Sequence, residues 1–301
     1  MSLGKRLGLL AKAVRAPFLL ASTIPVLLGA AVALANTGRF NLCLLLESLL
    51  GCVALQAGAN VANDYYDWLS GADARCHPSP YNGGSQVLPS GQATAEQERR
   101  LYLILYASAL LIGCHVAWQA GPAALLIGLT GLVLGHCYTA PPVAFSYRGL
   151  GELVTGITFG PLIVSGSYLV QAGRMHWLPV LVSVPVGLLI TAVLYINEFP
   201  DYLSDQAVGK LTWVVRTHAQ QLWVYQWLVG AATLTALCLL ALQSLWFLLA
   251  AIPLAWLAGR PLLATRRLSP ATMLPLQRGT LELHTFTGLG LTLAYLISGL
   301  R

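Results

Sequence analysis

The chain has 301 residues, of which 56% are hydrophobic and only 9% charged, with a mean hydropathy of +0.69. So few charges cannot coat a water-soluble globule of this size, which excludes a soluble enzyme or scaffold and leaves an integral membrane protein. The net charge of +6 does not imply a nucleic-acid partner, because the basic residues stand singly or in pairs among apolar runs and read as topology signals.

Apolar runs bounded by Gly, Pro or charge predict membrane spans at 18–36, 42–62, 101–119, 122–137, 152–171, 178–198, 222–242, 244–258 and 281–300. Several approach the ~20 residues a helix needs to cross a bilayer, whereas 122–137 and 244–258 are short and imply tilt or different bounds. The expectation is one domain, 1–301, an all-α polytopic bundle of about nine transmembrane helices. With a cytoplasmic N-terminus, Lys5, Arg6, Lys12 and Arg15 share a side with Arg75, Arg99, Arg100, Arg148, Lys210, Arg216, Arg260, Arg266, Arg267 and Arg278. That is fourteen of the seventeen basic residues, leaving Arg39, Arg174 and Arg301 opposite, as the positive-inside rule requires. Ala33-Leu34-Ala35 imitates a signal-peptide cleavage site, but the first run is longer than an ordinary signal core and an uncleaved span is expected.

Between the runs, Thr94-x-x-Gln97 reads as a capping box opening a short cytoplasmic helix, with Glu96, Glu98, Arg99 and Arg100 on solvated faces. Gly83-Gly84-Ser85 is a turn or a phosphate-binding backbone nest, and the surrounding segment 69–93 is a candidate lid. The six cysteines show no CxxC spacing and read as small buried hydrophobes, and the histidines lack metal-ligand spacing.

The chemistry concentrates in two places. The second run closes with Asn60-Val-Ala-Asn63-Asp64-Tyr-Tyr-Asp67, and Asp73 follows just past Gly71. On a helix Asn60, Asn63 or Asp64, and Asp67 share a face, which makes an oxygen-rich site at the cytoplasmic border. After the sixth run, Asn197, Asp201 and Asp205 recur at intervals of four, with Pro200 disturbing the helix among them. The unit Asn-x-x-x-Asp thus occurs twice, at 63/67 and 197/201, and hints at an internal duplication. The cytoplasmic loops 63–100 and 199–221 are expected to carry both clusters. Charged loop residues at a membrane border would explain the position of these acids but not their repeated spacing.

Two carboxylate clusters brought together repel unless cations sit between them. Carboxylate and amide oxygens suit Mg²⁺, which usually completes its shell with water and substrate phosphate oxygens. A diphosphate bridged by Mg²⁺ to both clusters is the economical ligand, with Lys210, Arg216 and Arg148 neutralising the remaining charge. In a lipid-embedded bundle its tail is expected to be lipid, and its ionisation would leave an allylic cation in a water-poor cavity. Tyr65, Tyr66, Tyr138, Tyr147, Tyr195, Tyr202 and Trp68 are placed to line that cavity, although such residues near span ends are more often interfacial anchors. An ion-coupled transporter is the functional rival. Against it, the acids gather at one membrane face and no second polar gate is evident opposite. A catalytically silent lipid-binding scaffold is the third class, and would tolerate the loss of Asp67 or Asp201.

The pair NVANDYYDWLSGAD and NEFPDYLSDQAVGKLTWVVR resembles the two Asp-rich motifs of the UbiA superfamily of intramembrane prenyltransferases. RAPFLLASTIPVLLG, YTAPPVAFSYRGLGELVTGITFGP and HTFTGLGL carry the resemblance along essentially the whole chain, which looks most like the 1,4-dihydroxy-2-naphthoate branch. The resemblance implies a nine-helix fold in a bacterial inner membrane, an active site on the cytoplasmic side, Mg²⁺, a polyprenyl diphosphate donor and an aromatic acceptor on the route to a quinone such as menaquinone. 4-Hydroxybenzoate and homogentisate are the alternative acceptors. Carried over by position, Asp64, Asp67, Asp73, Asp201 and Asp205 would bind metal and diphosphate, and Asn60, Asn63, Asn197 and Tyr138 would position substrate. Lys210, with Arg148 or Arg216, would take the pyrophosphate. Some relatives have a Lys where this chain has Ser146, and Arg148 is the expected substitute.

Overall fold

A computed structural model describes residues 2–74, 79, 81, 84–218, 222–243, 257–259 and 270–300, and no strand occurs among them. Helix α1 (Leu3–Ala13) exposes Leu3, Leu7 and Leu10 at spacings that share one face, as a helix lying in a membrane interface does. A 3-10 turn (Ala16–Leu19) leads into α2 (Leu20–Thr37), and α3 (Leu42–Ser70), α4 (Ala95–Ala120) and α5 (Pro122–Cys137) follow. Next come α6 (Gly151–Ile157), α7 (Ile163–Ala172) and α8 (Leu178–Glu198). The short α9 (Tyr202–Ala207) and α10 (Trp213–Arg216) precede α11 (Leu222–Gln243) and α12 (Pro270–Gly299).

Eight of the predicted runs therefore return as helical segments; the one at 244–258 lies outside the described residues except for its last two. Among the described residues six helical segments are long and apolar enough to cross a membrane, including α6 and α7 taken together as Gly151–Ala172, and α5 is a shorter apolar helix. The join between α6 and α7 is a π-turn at Thr158–Leu162, where Pro161 interrupts the regular hydrogen-bond ladder.

Helix α3 runs eight residues past the predicted end of its apolar run, for a total of about 44 Å at 1.5 Å per residue. Charges end a hydropathy window but do not break a helix. The backbone stops at Gly71, whose φ of +81° turns its amide back onto the carbonyls of the last turn. The first Asp-rich motif is thus helical as far as Ser70, and only its end, residues 71–73, lies in the loop that follows. At the other end of that segment, Thr94 and Gln97 form the expected capping box, but it opens the full 26-residue α4 and not a separate short helix. Glu98, expected on a solvated face, is buried. The described cysteines are free, and Cys43, Cys114 and Cys238 are exposed on the bundle rather than buried in it.

Two halves enclose the centre. In one, α2, α7, α8, α11 and α12 share a core that includes Leu28, Tyr168, Tyr195, Tyr225 and Leu283. In the other, α3 packs along α4 around Val61, Ala62, Tyr102 and Tyr106, with α5 leaning on both. Lipid tails are as apolar as these side chains, so close packing and interhelical hydrogen bonds hold the helices together. Ser167 donates to the Val26 carbonyl at 2.6 Å, which ties α7 to α2, and Gln56 donates to the Phe18 carbonyl at 2.8 Å, which ties α3 to the 3-10 turn before α2.

Candidate active site

The face of α3 carrying Asn60, Asn63 and Asp67 looks into a cavity of about 380 Å³ between the two halves. Asp73, Tyr138, Asn197, Asp201, Asp205 and Lys210 also line it, so both Asp-rich motifs meet at one end of the same space.

Asp67 is buried and takes hydrogen bonds from three side chains: Lys210 Nζ at 2.9 Å, Asn63 Nδ2 at 3.1 Å and the Tyr147 hydroxyl at 2.9 Å. Lys210 also lies 3.7 Å from Asp205, so one ammonium joins the two motifs across 143 residues of chain. Burial alone would lower the Lys210 pKa, but Asp205 and Asp67 together hold it well above its ordinary value. Asn63 completes the arrangement by donating to Thr139 Oγ1 at 2.7 Å.

Asp64 sits behind this wall. Its carboxylate is paired with the Arg15 guanidinium and accepts the Ser85 backbone amide at 2.9 Å. Arg15 also reaches Asn63 Oδ1 at 3.1 Å, while Asn60 donates to the Val14 carbonyl at 2.9 Å and fixes the chain that carries Arg15. Burial works against the Arg15 charge, but Asp64, Asp73 and Asp67 raise its pKa. The backbone at Arg15 is left-handed, with φ of 52°, a conformation that costs a non-glycine residue of order 1–3 kcal/mol unless its surroundings enforce it. Gly84, with φ of +69°, is pressed against the same group: a Cβ there would lie 2.9 Å from Asp73 Oδ2 and 3.0 Å from Asp64 Oδ1. The Ser85 amide is thus directed at a carboxylate; Gly83 and part of the candidate lid lie outside the described residues.

Carboxylates crowd this end of the cavity. Asp73 has its pKa pushed up to about 8, first by burial and then by Asp67 and Asp64. Asp205 rises to about 6 through burial, with Lys210 opposing and Asp201 and Asp67 adding to the shift. Among the described residues no group of three or more His, Cys, Asp or Glu forms a ready-made metal centre. The counter-charge is supplied instead by Arg15 and Lys210. A divalent cation shared by Asp67, Asp73, Asp201 and Asp205 would need further oxygens from a bound ligand, which is how Mg²⁺ is usually held. The donor set fits such an ion on those terms.

Arg148 and Arg216 stand apart from the cavity. Arg148 donates to the Pro142 carbonyl at 2.8 Å, and Arg216 donates to the carbonyls of Arg148 at 2.6 Å and Leu211 at 3.1 Å. They tie the Tyr147 loop to the Lys210 loop. Of the aromatics expected to line the cavity, only Tyr138 does so; Tyr65 packs against Tyr102, and Tyr66 against Tyr102 and His136, edge-on or tilted, on another side of α3. Phe18, Tyr81 and Phe159 take that place. Sequence reasoning gives Arg15 no site role: it counts among the topology charges and opens the RAPFLLASTIPVLLG segment, although its position immediately before Ala16-Pro17 at the start of a span is compatible with one end of the site.

From the polar end the cavity continues between apolar and small side chains, including Leu55, Leu132, Leu162 and Gly166. At its far end lie Glu47 and Ser48. Glu47 Oε2 is 3.1 Å from His115 Nδ1 and accepts from Gln119 at 3.3 Å, so a polar cluster does stand opposite the Asp-rich end, contrary to the expectation from sequence.

The profile of the UbiA prenyltransferase family matches residues 22–276. The chain is 28% identical to the 1,4-dihydroxy-2-naphthoate octaprenyltransferase of Bacillus subtilis (strain 168), over 94% of this chain and 90% of that protein. It is 30% identical to the enzyme of the same name from Escherichia coli (strain K12), over 87% and 86% of the two chains. A solved UbiA homolog from Archaeoglobus fulgidus, bound to GPP and Mg²⁺, superposes with a TM-score of 0.63 at 14% identity, covering 94% of this chain and 99% of that one.

Proposed function

This chain belongs to the UbiA prenyltransferase family, and from that premise we propose that it transfers a polyprenyl group from a polyprenyl diphosphate to 1,4-dihydroxy-2-naphthoate, with Mg²⁺ as cofactor, in menaquinone biosynthesis. That it is an integral membrane enzyme of prenyl transfer follows from the family and from its apolar helices. The finer reading rests on one observation: a mouth bearing Arg15, Lys210 and clustered carboxylates opens into an apolar cavity within a single continuous space. Such a space matches an amphiphile with an anionic head and a hydrocarbon tail. The naphthoate acceptor is favoured by the names of the relatives that match most of the chain. 4-Hydroxybenzoate and homogentisate are the acceptors to test against it.

In this reading Lys210 and Arg15 meet the negative charge of the diphosphate, with Asn60, Asn63 and Asn197 orienting it. Asp67, Asp73, Asp201 and Asp205 are the residues that would hold Mg²⁺, which would supply neutralisation of the leaving group, while Asp64 holds Arg15 behind them. The carbon–oxygen bond breaks, pyrophosphate departs with the electron pair, and the apolar walls keep water from the allylic cation. The electron-rich ring carbon of the acceptor then forms the new carbon–carbon bond and gives up its proton, and the naphthoate carboxylate leaves as CO₂ with a proton taking its place on the ring. Tyr138 borders the space in which this occurs. Arg148 and Arg216 contribute by holding the loops that present Tyr147 and Lys210.

Nine spans, a cytoplasmic site and a bacterial inner-membrane location complete the proposal, supported by the distribution of basic residues along the sequence. Ion-coupled transport would require a path past Leu44, Val116 and Val170, which pack together at the far end of the cavity. Alanine at Asp67 or Asp201 is expected to abolish prenyl transfer in purified protein that keeps its helical circular dichroism; activity surviving in both variants contradicts the assignment.

A further inference from the structure

Arg39 and Arg174 are two of the three basic residues that the charge pattern leaves on the side opposite the Asp-rich motifs. Although far apart in sequence, they come together. Arg39 follows the end of α2 and Arg174 the end of α7, and both line a second cavity, of about 310 Å³, with Asn36, Thr37 and Ala172. The loops that carry them are pinned. The buried Gln171 side chain accepts the Asn41 amide at 2.7 Å and donates to the Asn41 carbonyl at 3.0 Å, while Asn36 donates to the Tyr168 hydroxyl at 2.6 Å.

Capping of the two helices does not account for these arginines. Each helix ends on a left-handed glycine whose amide closes the last turn at 2.8 Å, Gly38 on the Leu34 carbonyl and Gly173 on the Leu169 carbonyl. Arg39 adds one long bond of 3.4 Å to the Ala172 carbonyl, and among the described residues neither arginine has a carboxylate partner. Of the eleven acidic residues only Glu47 lies toward this end, and it is engaged by His115 and Gln119. Two guanidinium groups thus share one pocket with no acid to offset them, at the membrane face where positive charge is otherwise scarce.

We propose that Arg39 and Arg174 bind the phosphate of an anionic lipid headgroup, in the leaflet opposite the candidate active site. The forked donors of two guanidinium groups match phosphate oxygens, and Asn36 and Thr37 supply polar walls beside them. The depth is that of a headgroup: Phe40, Met175 and Trp177, which flank the arginines in sequence, are all exposed, as apolar and aromatic side chains at a membrane border are. A zwitterionic headgroup would bring its ammonium to a pocket that offers it no carboxylate, so the site selects net negative charge. This inference goes beyond prenyl transfer and does not depend on it.

The test titrates delipidated protein in a nonionic detergent with phosphatidylglycerol or phosphatidylcholine and reads lipid-bound species by native mass spectrometry. Wild type is compared with Arg39→Gln/Arg174→Gln and with Arg99→Gln/Arg100→Gln, which removes the same charge from the exposed start of α4 at the other face. Both Arg39 and Arg174 are exposed, so their replacement leaves core packing intact. The wild type should bind phosphatidylglycerol more tightly than phosphatidylcholine. Arg39→Gln/Arg174→Gln should weaken phosphatidylglycerol binding by about tenfold or more, the scale expected for two cations at a lipid surface, and leave phosphatidylcholine binding unchanged. Arg99→Gln/Arg100→Gln should bind both lipids as the wild type does. Equal losses in the two double variants would mean that overall charge and not this pocket attracts the lipid, and an unchanged affinity in Arg39→Gln/Arg174→Gln would exclude the site; either overturns the proposal. Displacement of the bound lipid by millimolar inorganic phosphate would assign the pocket to a soluble anion and overturns it as well.

Discussion

Asp67 is the most heavily committed residue of the site, with a lysine, an asparagine and a tyrosine all donating to it. Arg15 is its counterpart on Asp64. Removing Arg15 leaves a buried carboxylate with a backbone amide in place of a cation, and Arg15→Ala is expected to destabilise the protein by about 2 kcal/mol, between the values for exposed and fully buried pairs. Thermal unfolding in one detergent should show it, and Arg15→Lys should recover part of the loss; no change in Arg15→Ala would mean that Asp64 finds another partner. Asp73 makes a pH prediction. Its folded-state pKa of about 8 lies above the usual carboxylate value, so folding favours the protonated form. That contribution is fully present below the ordinary pKa and is lost as pH rises through about 8. Metal-free protein should therefore lose stability over that window, and Asp73→Asn should flatten the slope.

These residues differ in how plainly sequence announces them. Asn63 and Asp67 are local to one helix, so their spacing places them on the cavity side at once, with Asp64 turned behind it. Asn197 lies in α8, while Asp201 stands at the N-cap of α9 and Asp205 within it, so the expected single helical face is broken at Phe199 and Pro200 although all three line the cavity. Arg15 meets Asp64 across 49 residues and Lys210 meets Asp67 across 143, and no periodicity links them. Tyr65 and Tyr66 illustrate the converse. They are adjacent to the motif in sequence, yet a helix turns about 100° per residue, and that rotation carries them into the α4 cluster. Glu47 stood isolated in an apolar run, and its partners on α4 emerge only when the two helices pack.

At the scale of elements, α3 is both the wall of the cavity and the carrier of the first motif, and its end is set by Gly71 and not by the charges before it. Hydropathy alone therefore ended it eight residues too soon, while the expected start at 42 coincides with that of the helix, where the Asn41 side chain accepts the Leu44 amide. The segment after α3 returns over the site at Gly84. Gly84→Ala combines an unfavourable left-handed backbone with a Cβ against Asp73 and Asp64. It is expected to raise the KM for the donor at least as much as it lowers kcat, because it disturbs the carboxylates before any bond breaks. Steady-state kinetics at saturating acceptor separates the two effects; a normal KM would remove this segment from donor binding.

For the whole molecule, the bundle joins two halves that enclose a long cavity, with the Asp-rich motifs at one end, apolar and small side chains along its length and Glu47 at the other. That the chain is an all-helical membrane protein could be read from composition, and the eight helical segments recovered in the structure follow from simple runs of apolar residues. The continuity of the cavity could not, because it depends on which faces of α3, α5 and α7 turn inward together. The central claim is that this space takes an anionic head with a hydrocarbon tail and delivers the tail to an aromatic ring. The most direct measurement is turnover of a radiolabelled polyprenyl diphosphate by the purified protein with Mg²⁺ or with EDTA, offered 1,4-dihydroxy-2-naphthoate, 4-hydroxybenzoate and homogentisate separately. The account predicts label in the naphthoate product alone, dependent on the metal, with release of CO₂; label in none of the three, from a protein that also fails to bind the donor, would contradict it.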